Sequence, residues 1–102
     1  MPRSLYAAGG IISIPVPFEF DPEKSAANKA KHGIDFTEAQ AIWTDPDRLE
    51  IPARSLEESR FQVIGRIDER TWSAFITYRH DTICIISVRR ARSEEEARYL
   101  GD

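Results

Sequence analysis

Three segments between residues 60 and 90 have the character of β-strands and are separated by only two or three polar residues. The segments cover residues 60–67, 71–79 and 83–90, with turns at residues 68–70 and 80–81. β-Branched and aromatic side chains are frequent in them, and connections this short join antiparallel neighbours. The sequence therefore predicts an antiparallel sheet made of consecutive hairpins.

The residues that precede these segments predict a short strand and a helix. Residues 18–20 alternate apolar and polar side chains, as a half-buried strand does. Asp21 and Pro22 are typical of a helix N-terminus, and Gly33 is typical of the residue that ends a helix. We therefore expect a first strand over residues 18–20 and a helix over residues 22–32.

Two further helices and one more strand complete the predicted domain. Asp35 and Glu38 have the spacing of a capping box, and so do Ser93 and Glu96. The first pair opens a second helix that ends at Asp45, and the second pair opens a C-terminal helix over residues 94–100. Residues 48–53 are predicted to form a strand, and Pro52 indicates that this strand lies at a sheet edge. The predicted order is β-α-α-β-β-β-β-α. We expect an α+β domain with the helices packed on one face of an antiparallel sheet.

The length and composition fit one domain. The chain has 102 residues, of which 41% are hydrophobic, and its 14 Lys and Arg against 17 Asp and Glu give a net charge of −3. An acidic balance argues against nucleic-acid binding, because domains that bind nucleic acid are usually basic. The single cysteine, Cys84, excludes an internal disulfide or a cysteine-based zinc site and fits the reducing cytoplasm.

The first 17 residues differ from the rest of the chain. Glycines and prolines interrupt their apolar run, so we do not expect a secretory signal, and the run is too short to span a membrane. We expect residues 1–17 to be an N-terminal extension, with residues 11–16 suited to an edge strand. Residues 18–102 then form the single domain.

Alternation along the three strands separates an apolar face of the sheet from a polar one. The apolar set is Phe61, Val63, Gly65 and Ile67, then Trp72, Ala74, Ile76 and Tyr78, then Cys84, Ile86 and Val88. The other set contains Arg60, Gln62, Arg66, Thr77, Arg79, Ser87 and Arg89. Four arginines without a carboxylate predict a surface for phosphate groups despite the net negative charge. A solvated polar face is the alternative.

The first helix adds a polar stripe with helical spacing. Its members are Lys24, Asn28, Lys31 and His32, and the prediction places Ala26, Ala27 and Ala30 on the inward side. The stripe is either a solvated helix face or an extension of the phosphate-binding surface. His32 has a second interpretation, as a residue that caps the end of the helix beside Gly33.

A longer pattern resembles the BrnT toxin family. Its first part is Phe18-Glu-Phe-Asp-Pro-x-Lys24-x-x-x-Asn28-x-x-Lys31-His32-Gly33-Ile34-Asp-Phe36-x-x-Ala39, followed by Asp45-Pro46. Its second part is Ile85-Ile86-Ser87-Val88-Arg89-Arg90-Ala91, followed by an acidic helix that ends in Arg98-Tyr99. The resemblance covers residues 18–99, although the family commonly has alanine in place of Val88. It implies a RelE-like fold and a ribonuclease toxin of a type II toxin–antitoxin pair.

The resemblance also implies partners and a site. The partners are a BrnA-like ribbon-helix-helix antitoxin, an RNA substrate that is free or on the ribosome, and operator DNA through the antitoxin alone. RNA is cleaved without a metal or other cofactor when its 2′-OH attacks the adjacent phosphate, which needs a base, an acid and cations. We expect the catalytic residues to be His32, Arg79, Ser87 and Arg89. The expected RNA-binding residues are Lys24, Asn28, Lys31, Arg60, Arg66 and Arg90.

The residues leave several roles open. His32 suits the acid, since histidine gains and loses a proton near neutral pH and a helix C-terminus favours its charged form, and Lys31 is a candidate base. Residues 94–96 are three glutamates, which either stabilise the helix N-terminus or contact the antitoxin and the arginines. The alternative functions are a non-catalytic antitoxin-binding subunit that modulates DNA autoregulation, and a general RNA-binding module.

Overall fold

The computed structural model describes residues 17–53 and 59–101, so the predicted strand at residues 11–16 lies outside the described residues. The described elements are, in order, β1 (Phe18–Glu19), α1 (Pro22–His32), a 3₁₀ helix (Glu38–Thr44), β2 (Leu49–Ala53), β3 (Arg60–Ile67), β4 (Arg70–Arg79), β5 (Thr82–Arg90) and α2 (Ser93–Leu100). The domain is α+β, as expected. Within the described ranges, no helix has the length and apolar character needed to cross a lipid bilayer.

The strands form one mixed sheet in the order β1-β5-β4-β3-β2. Neighbours from β2 to β5 are antiparallel, which confirms the hairpins and the edge position of β2. The expectation of a wholly antiparallel sheet is wrong at β1, where Phe18 pairs in parallel with Ile83. A short turn fixes the direction of consecutive strands only, whereas β1 reaches the sheet at the free edge of a strand that is distant in sequence.

Helix α1 begins and ends at the predicted residues. The Asp21 carboxylate accepts a 2.8 Å hydrogen bond from the Glu23 N–H, and Pro22 occupies the first turn, where no N–H is needed. Gly33 ends the helix in the left-handed conformation with φ of 81°, and its N–H donates to the Lys29 carbonyl.

The second helix begins with the predicted capping box but is a 3₁₀ helix. The Glu38 N–H donates to the Asp35 carboxylate at 2.7 Å, and the Asp35 N–H donates to Glu38 at 3.0 Å. Phe36, Ala39 and Ile42 are all buried and lie three residues apart. A 3₁₀ helix has three residues per turn, so this winding directs Ala39 and Ile42 into the core, and Phe36 enters the core from the turn before the helix.

The core lies between one face of the sheet and the two helices that follow β1. The buried cluster includes Val63, Ala74 and Ile76 of the predicted apolar set, together with Phe36 and Ile42. The prediction from alternation is therefore confirmed on β3 and β4. We call this side of the sheet the core face and the opposite side the polar face.

A β-bulge reverses the prediction in the first half of β5. Phe75 pairs with Ser87 but Ile76 pairs with Ile85, so Ile86 has no partner in the register. Ile83 and Ile85 consequently belong to the core cluster, and Cys84 lies opposite Thr77 on the polar face. The expectation that Cys84 and Ile86 point into the core is wrong, because one extra residue inverts the alternation of every residue before it.

Helix α1 also presents a different side to the sheet from the one predicted. Ser25 and Asn28 are buried, whereas Ala26, Ala27 and Ala30 are exposed. The Asn28 side chain donates to the Val88 carbonyl at 2.9 Å and accepts from the Val88 N–H at 3.2 Å. It therefore pairs with the edge of β5 as a neighbouring strand would. The backbone groups at this edge need polar partners, which alanine cannot supply.

Helix α2 lies on the polar face, so the expectation that all helices pack on one face is wrong. Its Glu95 contacts Gln62 of β3 and Ser73 of β4, both on the polar face. Its capping interaction also lies one residue earlier than predicted, because Glu95 rather than Glu96 accepts the N–H of the N-cap residue, Arg92. No residue of α2 is buried, so apolar contact with the core does not dictate its position.

Candidate functional site

The strand register orders the side chains of the polar face into rows. Gln62, Phe75 and Ser87 lie opposite one another in one row. The next row contains Ile64, Ser73 and Arg89, and Arg66 lies opposite Thr71 in the row after that. Ser87 and Arg89 are therefore neighbours on β5, as the alternation predicted.

The carboxylate of Glu95 is the centre of the polar contacts on this face. It accepts hydrogen bonds of 2.8 Å from each terminal nitrogen of Arg89, 2.8 Å from Gln62, 3.0 Å from the Ser73 hydroxyl and 2.8 Å from the Arg92 N–H. These donors, Arg89 first, outweigh the effect of burial and lower the pKa of Glu95 to about 2. The carboxylate is thus ionised at neutral pH and fully hydrogen-bonded.

The expectation of a polar face without carboxylates is therefore wrong. Glu95 covers Arg89, and Glu96 accepts a 2.9 Å hydrogen bond from Thr71 and lies 4.0 Å from Arg66. Alternation assigns faces to residues of the strands alone, and these acids arrive from α2. Glu95 fits both interpretations left open for the glutamates, because it contacts Arg89 and also accepts the Arg92 N–H at the N-terminus of α2. Glu96 lies 4.0 Å from Arg66.

A second group of contacts fixes the C-terminal end of α2. The Tyr99 hydroxyl donates to Asp45 at 2.6 Å, and the Arg66 N–H donates to the same carboxylate oxygen at 2.8 Å. Burial opposes ionisation of Asp45, but the hydrogen bonds from Tyr99 and from the backbone of Arg66 and Asp47 lower its pKa. Helix α2 is thus held on the sheet through polar contacts near both of its ends.

An open cleft of about 510 Å³ lies beside these contacts on the polar face. Its polar lining consists of Arg60, Gln62, Ser87 and Arg98, and its apolar lining consists of Ile51, Pro52, Ala53, Phe75 and Ile86. Arg60 and Ser87 were predicted as site residues, whereas Phe75 and Arg98 were not. Phe75 shares the alternation of the arginines, and Arg98 closes the family pattern, so the sequence carried a signal for both.

Arg89 lies next to the cleft and is constrained by its neighbours. Its guanidinium lies over the Phe75 ring, 5.2 Å from the ring centre, and its side chain is 23% exposed. Its Nη1 atom donates to Glu95 and to the Arg90 carbonyl, and its Nη2 atom donates once to Glu95. A guanidinium has five N–H groups, and these bonds use three of them. The Nε–H and the second Nη2–H, which point outward from one side of the guanidinium, make no hydrogen bond to the described residues.

The structure does not bring Arg79 to this group. Arg79 is at the end of β4, opposite Thr82, whereas Arg89 lies opposite Ser73. Six residues of extended strand separate the two rows, which is about 20 Å at ~3.4 Å per residue. Arg79 is therefore on the predicted face but at its far end.

The remaining predicted residues do not lie on the polar face, but on α1, which packs beside β5, or on the core face of β5. Lys24 and Lys31 of α1 are exposed, and His32 is half-buried at the end of that helix. Arg90 pairs with Trp72 on the core face and lies over its ring. The expectation that Asn28 belongs to an exposed stripe is wrong, because it is only 7% exposed and its side chain bonds to Val88 and Ile34. The C-terminal half of β5 thus separates two groups of predicted residues.

Together these features define a small α+β domain whose sheet carries a cleft lined by arginines. A model of the family described as ribonuclease toxin, BrnT, of type II toxin–antitoxin systems matches residues 20–95, about three quarters of the chain. The chain belongs to this family, and hence to the ribonuclease toxins that have an antitoxin partner. No curated protein matches the chain.

Proposed function

We propose that this chain is a cytoplasmic, metal-independent endoribonuclease with a RelE-like fold that inhibits translation by cleaving RNA. We propose that a BrnA-like ribbon-helix-helix antitoxin neutralises it. The observation that carries the proposal is an open cleft on the polar face that Arg60 and Ser87 line, with Arg89 in the neighbouring row over the Phe75 ring. Cationic side chains and a hydroxyl in a cleft are suited to bind an RNA phosphate and its ribose.

The proposed reaction is an internal transfer of the phosphate. The ribose 2′-oxygen loses its proton and attacks the adjacent phosphorus, and the bond from phosphorus to the 5′-oxygen breaks. The base takes the proton of the 2′-OH, and the acid gives a proton to the leaving 5′-oxygen. The products are a 2′,3′-cyclic phosphate and a free 5′-hydroxyl. The charge that accumulates on the phosphate oxygens in the transition state needs fixed cationic donors.

The geometry of Arg89 suits this role in spite of its pairing with Glu95. Glu95 holds the end of the guanidinium, which leaves the parallel Nε–H and Nη2–H groups of the side edge for two oxygens of a phosphate. The pairing also fixes the orientation of Arg89 before RNA binds. A donor that is already oriented needs little reorganisation in the transition state.

The groups on either side of β5 have complementary proposed roles. Arg60 and Arg66 position the RNA on the polar face, and Ser87 orients the ribose. RNA that crosses the C-terminal end of β5 then reaches Arg90, Lys24 and Lys31, with His32 as the acid and Lys31 as a candidate base. We assign Asn28 the role of holding α1 against β5 rather than of binding RNA. We assign Arg79 to binding a part of the RNA that continues along the polar face beyond the cleft.

The test is cleavage of RNA by the purified chain in the presence of EDTA. Arg89→Lys keeps the charge but loses the two-pronged donor edge, and His32→Ala removes the proposed acid, so both variants should cleave more slowly than the wild-type chain. Arg70→Ala is the control, because it removes one positive charge from the exposed first residue of β4, which does not line the cleft. Thermal unfolding of each variant separates loss of chemistry from loss of fold.

Two outcomes would contradict the proposal in different ways. Wild-type activity no higher than that of a variant carrying both Arg89→Lys and His32→Ala would exclude these residues from cleavage. An inactive wild-type chain that still binds the antitoxin would instead support the non-catalytic subunit. Loss of activity in EDTA would contradict metal independence alone.

A further inference from the structure

The side chain of Asn28 bonds to both parts of the chain that carry the proposed reaction. Its Nδ2 atom donates to the Ile34 carbonyl at 2.8 Å and to the Val88 carbonyl at 2.9 Å, and its Oδ1 atom accepts from the Val88 N–H at 3.2 Å. Both N–H groups of the amide are thus in use. One buried side chain therefore links the segment that follows α1 to the C-terminal half of β5.

On β5, these bonds fall between two residues of the proposed site. The Val88 N–H belongs to the peptide unit shared with Ser87, and the Val88 carbonyl belongs to the peptide unit shared with Arg89. Val88 is fully buried on the core face, whereas its two neighbours lie on the polar face. Asn28 therefore contacts the backbone that carries the proposed phosphate-binding side chains.

On α1, the contact lies close to the proposed acid. Gly33 ends the helix in the left-handed conformation and Ile34 follows it, so the bond from Asn28 to the Ile34 carbonyl closes the turn directly after His32. Asn28 also precedes His32 by four residues, a spacing that puts both on one side of the helix. The position of His32 on the domain is therefore tied to that of Asn28.

We propose that Asn28 is a positioning residue that places His32 relative to Arg89, so that the acid and the guanidinium act on the same phosphodiester. The inference rests on the proposed function and deepens it, because holding α1 against β5 then serves the reaction as well as the fold. Strand β5 pairs with β4 from Thr82 to Arg90, which fixes β5 independently of α1. Loss of the Asn28 contact should therefore displace the end of α1 rather than the strand.

The directional nature of the contact supports positioning rather than burial alone. Hydrogen bonds depend on distance and angle, whereas the hydrophobic effect has no direction. Three hydrogen bonds from one side chain therefore fix the orientation of α1 on β5, which an apolar side chain of similar size would not do. A displacement of about 1 Å between reacting groups can slow a reaction about a hundredfold.

The experiment measures kcat and KM for cleavage of a single-stranded RNA, per folded chain, at a temperature below the unfolding of each variant. Asn28→Ala should lower kcat about 10- to 100-fold and change KM by less than about threefold, because the residues that bind RNA are retained. Asn28→Gln keeps the amide but lengthens the side chain by one methylene group. It should also lower kcat, and it provides the test where Asn28→Ala does not fold.

Ser25→Ala is the matched control. Ser25 and Asn28 are the buried residues of α1, but the Ser25 hydroxyl accepts from the Phe36 N–H at 2.9 Å and so contacts the turn before the 3₁₀ helix. Its removal tests the loss of a buried hydrogen bond of α1 away from β5. Ser25→Ala should keep kcat within about twofold of the wild-type value.

A double-mutant cycle separates positioning from stability. In a His32→Ala background the group that Asn28 positions is absent, so Asn28→Ala should lower kcat further by less than about threefold. A residue that only stabilises the fold would cost the same factor in both backgrounds.

The outcomes distinguish this inference from the proposed function. If the wild-type chain cleaves RNA and Asn28→Ala slows cleavage no more than Ser25→Ala, or by equal factors with and without His32, the inference is wrong and the proposed function stands. If the Asn28 variants lose activity only in proportion to their unfolded fraction, the inference is again wrong. If the wild-type chain does not cleave RNA, both proposals fail.

Discussion

Arg89 and Glu95 are joined by two parallel hydrogen bonds of 2.8 Å between the last strand and the helix that follows it. The two side chains are only 23% and 14% exposed, so the pair is largely shielded from water. Removing one partner leaves the charge of the other partly buried, which costs more than the loss of an exposed pair. This pair therefore links the stability of α2 to the orientation of the arginine that we propose for catalysis.

The first prediction concerns acid. The pKa of Glu95 falls from an ordinary value of 4.5 to about 2 in the folded chain, so the pairing stabilises the fold above pH ~5 and this contribution is lost as the pH falls towards 2. The shift corresponds to about 3 kcal/mol. Urea unfolding of Glu95→Gln should show lower stability at pH 7 and a weaker dependence on pH below 5 than the wild-type chain shows. Glu94→Gln, an exposed neighbour, is the control, and equal pH dependence in both variants would contradict the prediction.

The second prediction concerns Asn28. Asn28→Ala should lower the free energy of unfolding by about 2–4 kcal/mol, because it leaves buried backbone groups of Val88 and Ile34 without partners. Lys31→Ala on the exposed side of the same helix should change it by less than about 0.5 kcal/mol. The measurement is chemical denaturation of both variants. Equal stability of Asn28→Ala and the wild-type chain would mean that α1 is held on β5 by other contacts.

The third prediction concerns alkaline pH. Burial and then a 2.7 Å hydrogen bond to Glu50 raise the pKa of Tyr78 to about 12. The difference in phenolate absorbance between the wild-type chain and Tyr78→Phe should therefore have its midpoint near 12, and Glu50→Gln should move this midpoint towards 10. Because the folded chain favours the neutral phenol, the stabilising contribution is present below pH 10 and is lost as the pH rises through 12. A midpoint near 10 in the wild-type chain would contradict both the burial of Tyr78 and its hydrogen bond to Glu50.

The fourth prediction concerns the contact between β3 and the 3₁₀ helix. A Cβ atom at Gly65 would lie 2.8 Å from the Cγ2 atom of Ile42, whose side chain is fully buried. Gly65→Ala should therefore destabilise the fold by about 1–3 kcal/mol. The same substitution should cost less in an Ile42→Ala background, since the atom that clashes is gone. Additive costs in this double-mutant cycle would place the source of the destabilisation elsewhere.

Much of the fold could be predicted because its signals act over a few residues. The hydrogen bond from Glu23 to Asp21, the left-handed Gly33 and the reciprocal bonds of Asp35 and Glu38 all join neighbours in sequence. Alternation along β3 and β4 is equally local. The candidate site was predictable to the same extent, since Ser87 and Arg89 share a face whenever their strand is regular between them.

The sequence by itself thus determined the elements, the hairpins and the face on which the arginines of β3 and β5 lie. Tertiary structure decided which carboxylates meet those arginines, because Glu95 approaches Gln62 from 33 residues away in the chain. It also decided the role of Asn28, whose partner Val88 is 60 residues away, and the bulge at Ile86. The physical reason is that a buried polar group needs a hydrogen-bond partner, and the packed chain supplies that partner from a segment distant in sequence. Patterns within a few residues do not contain it.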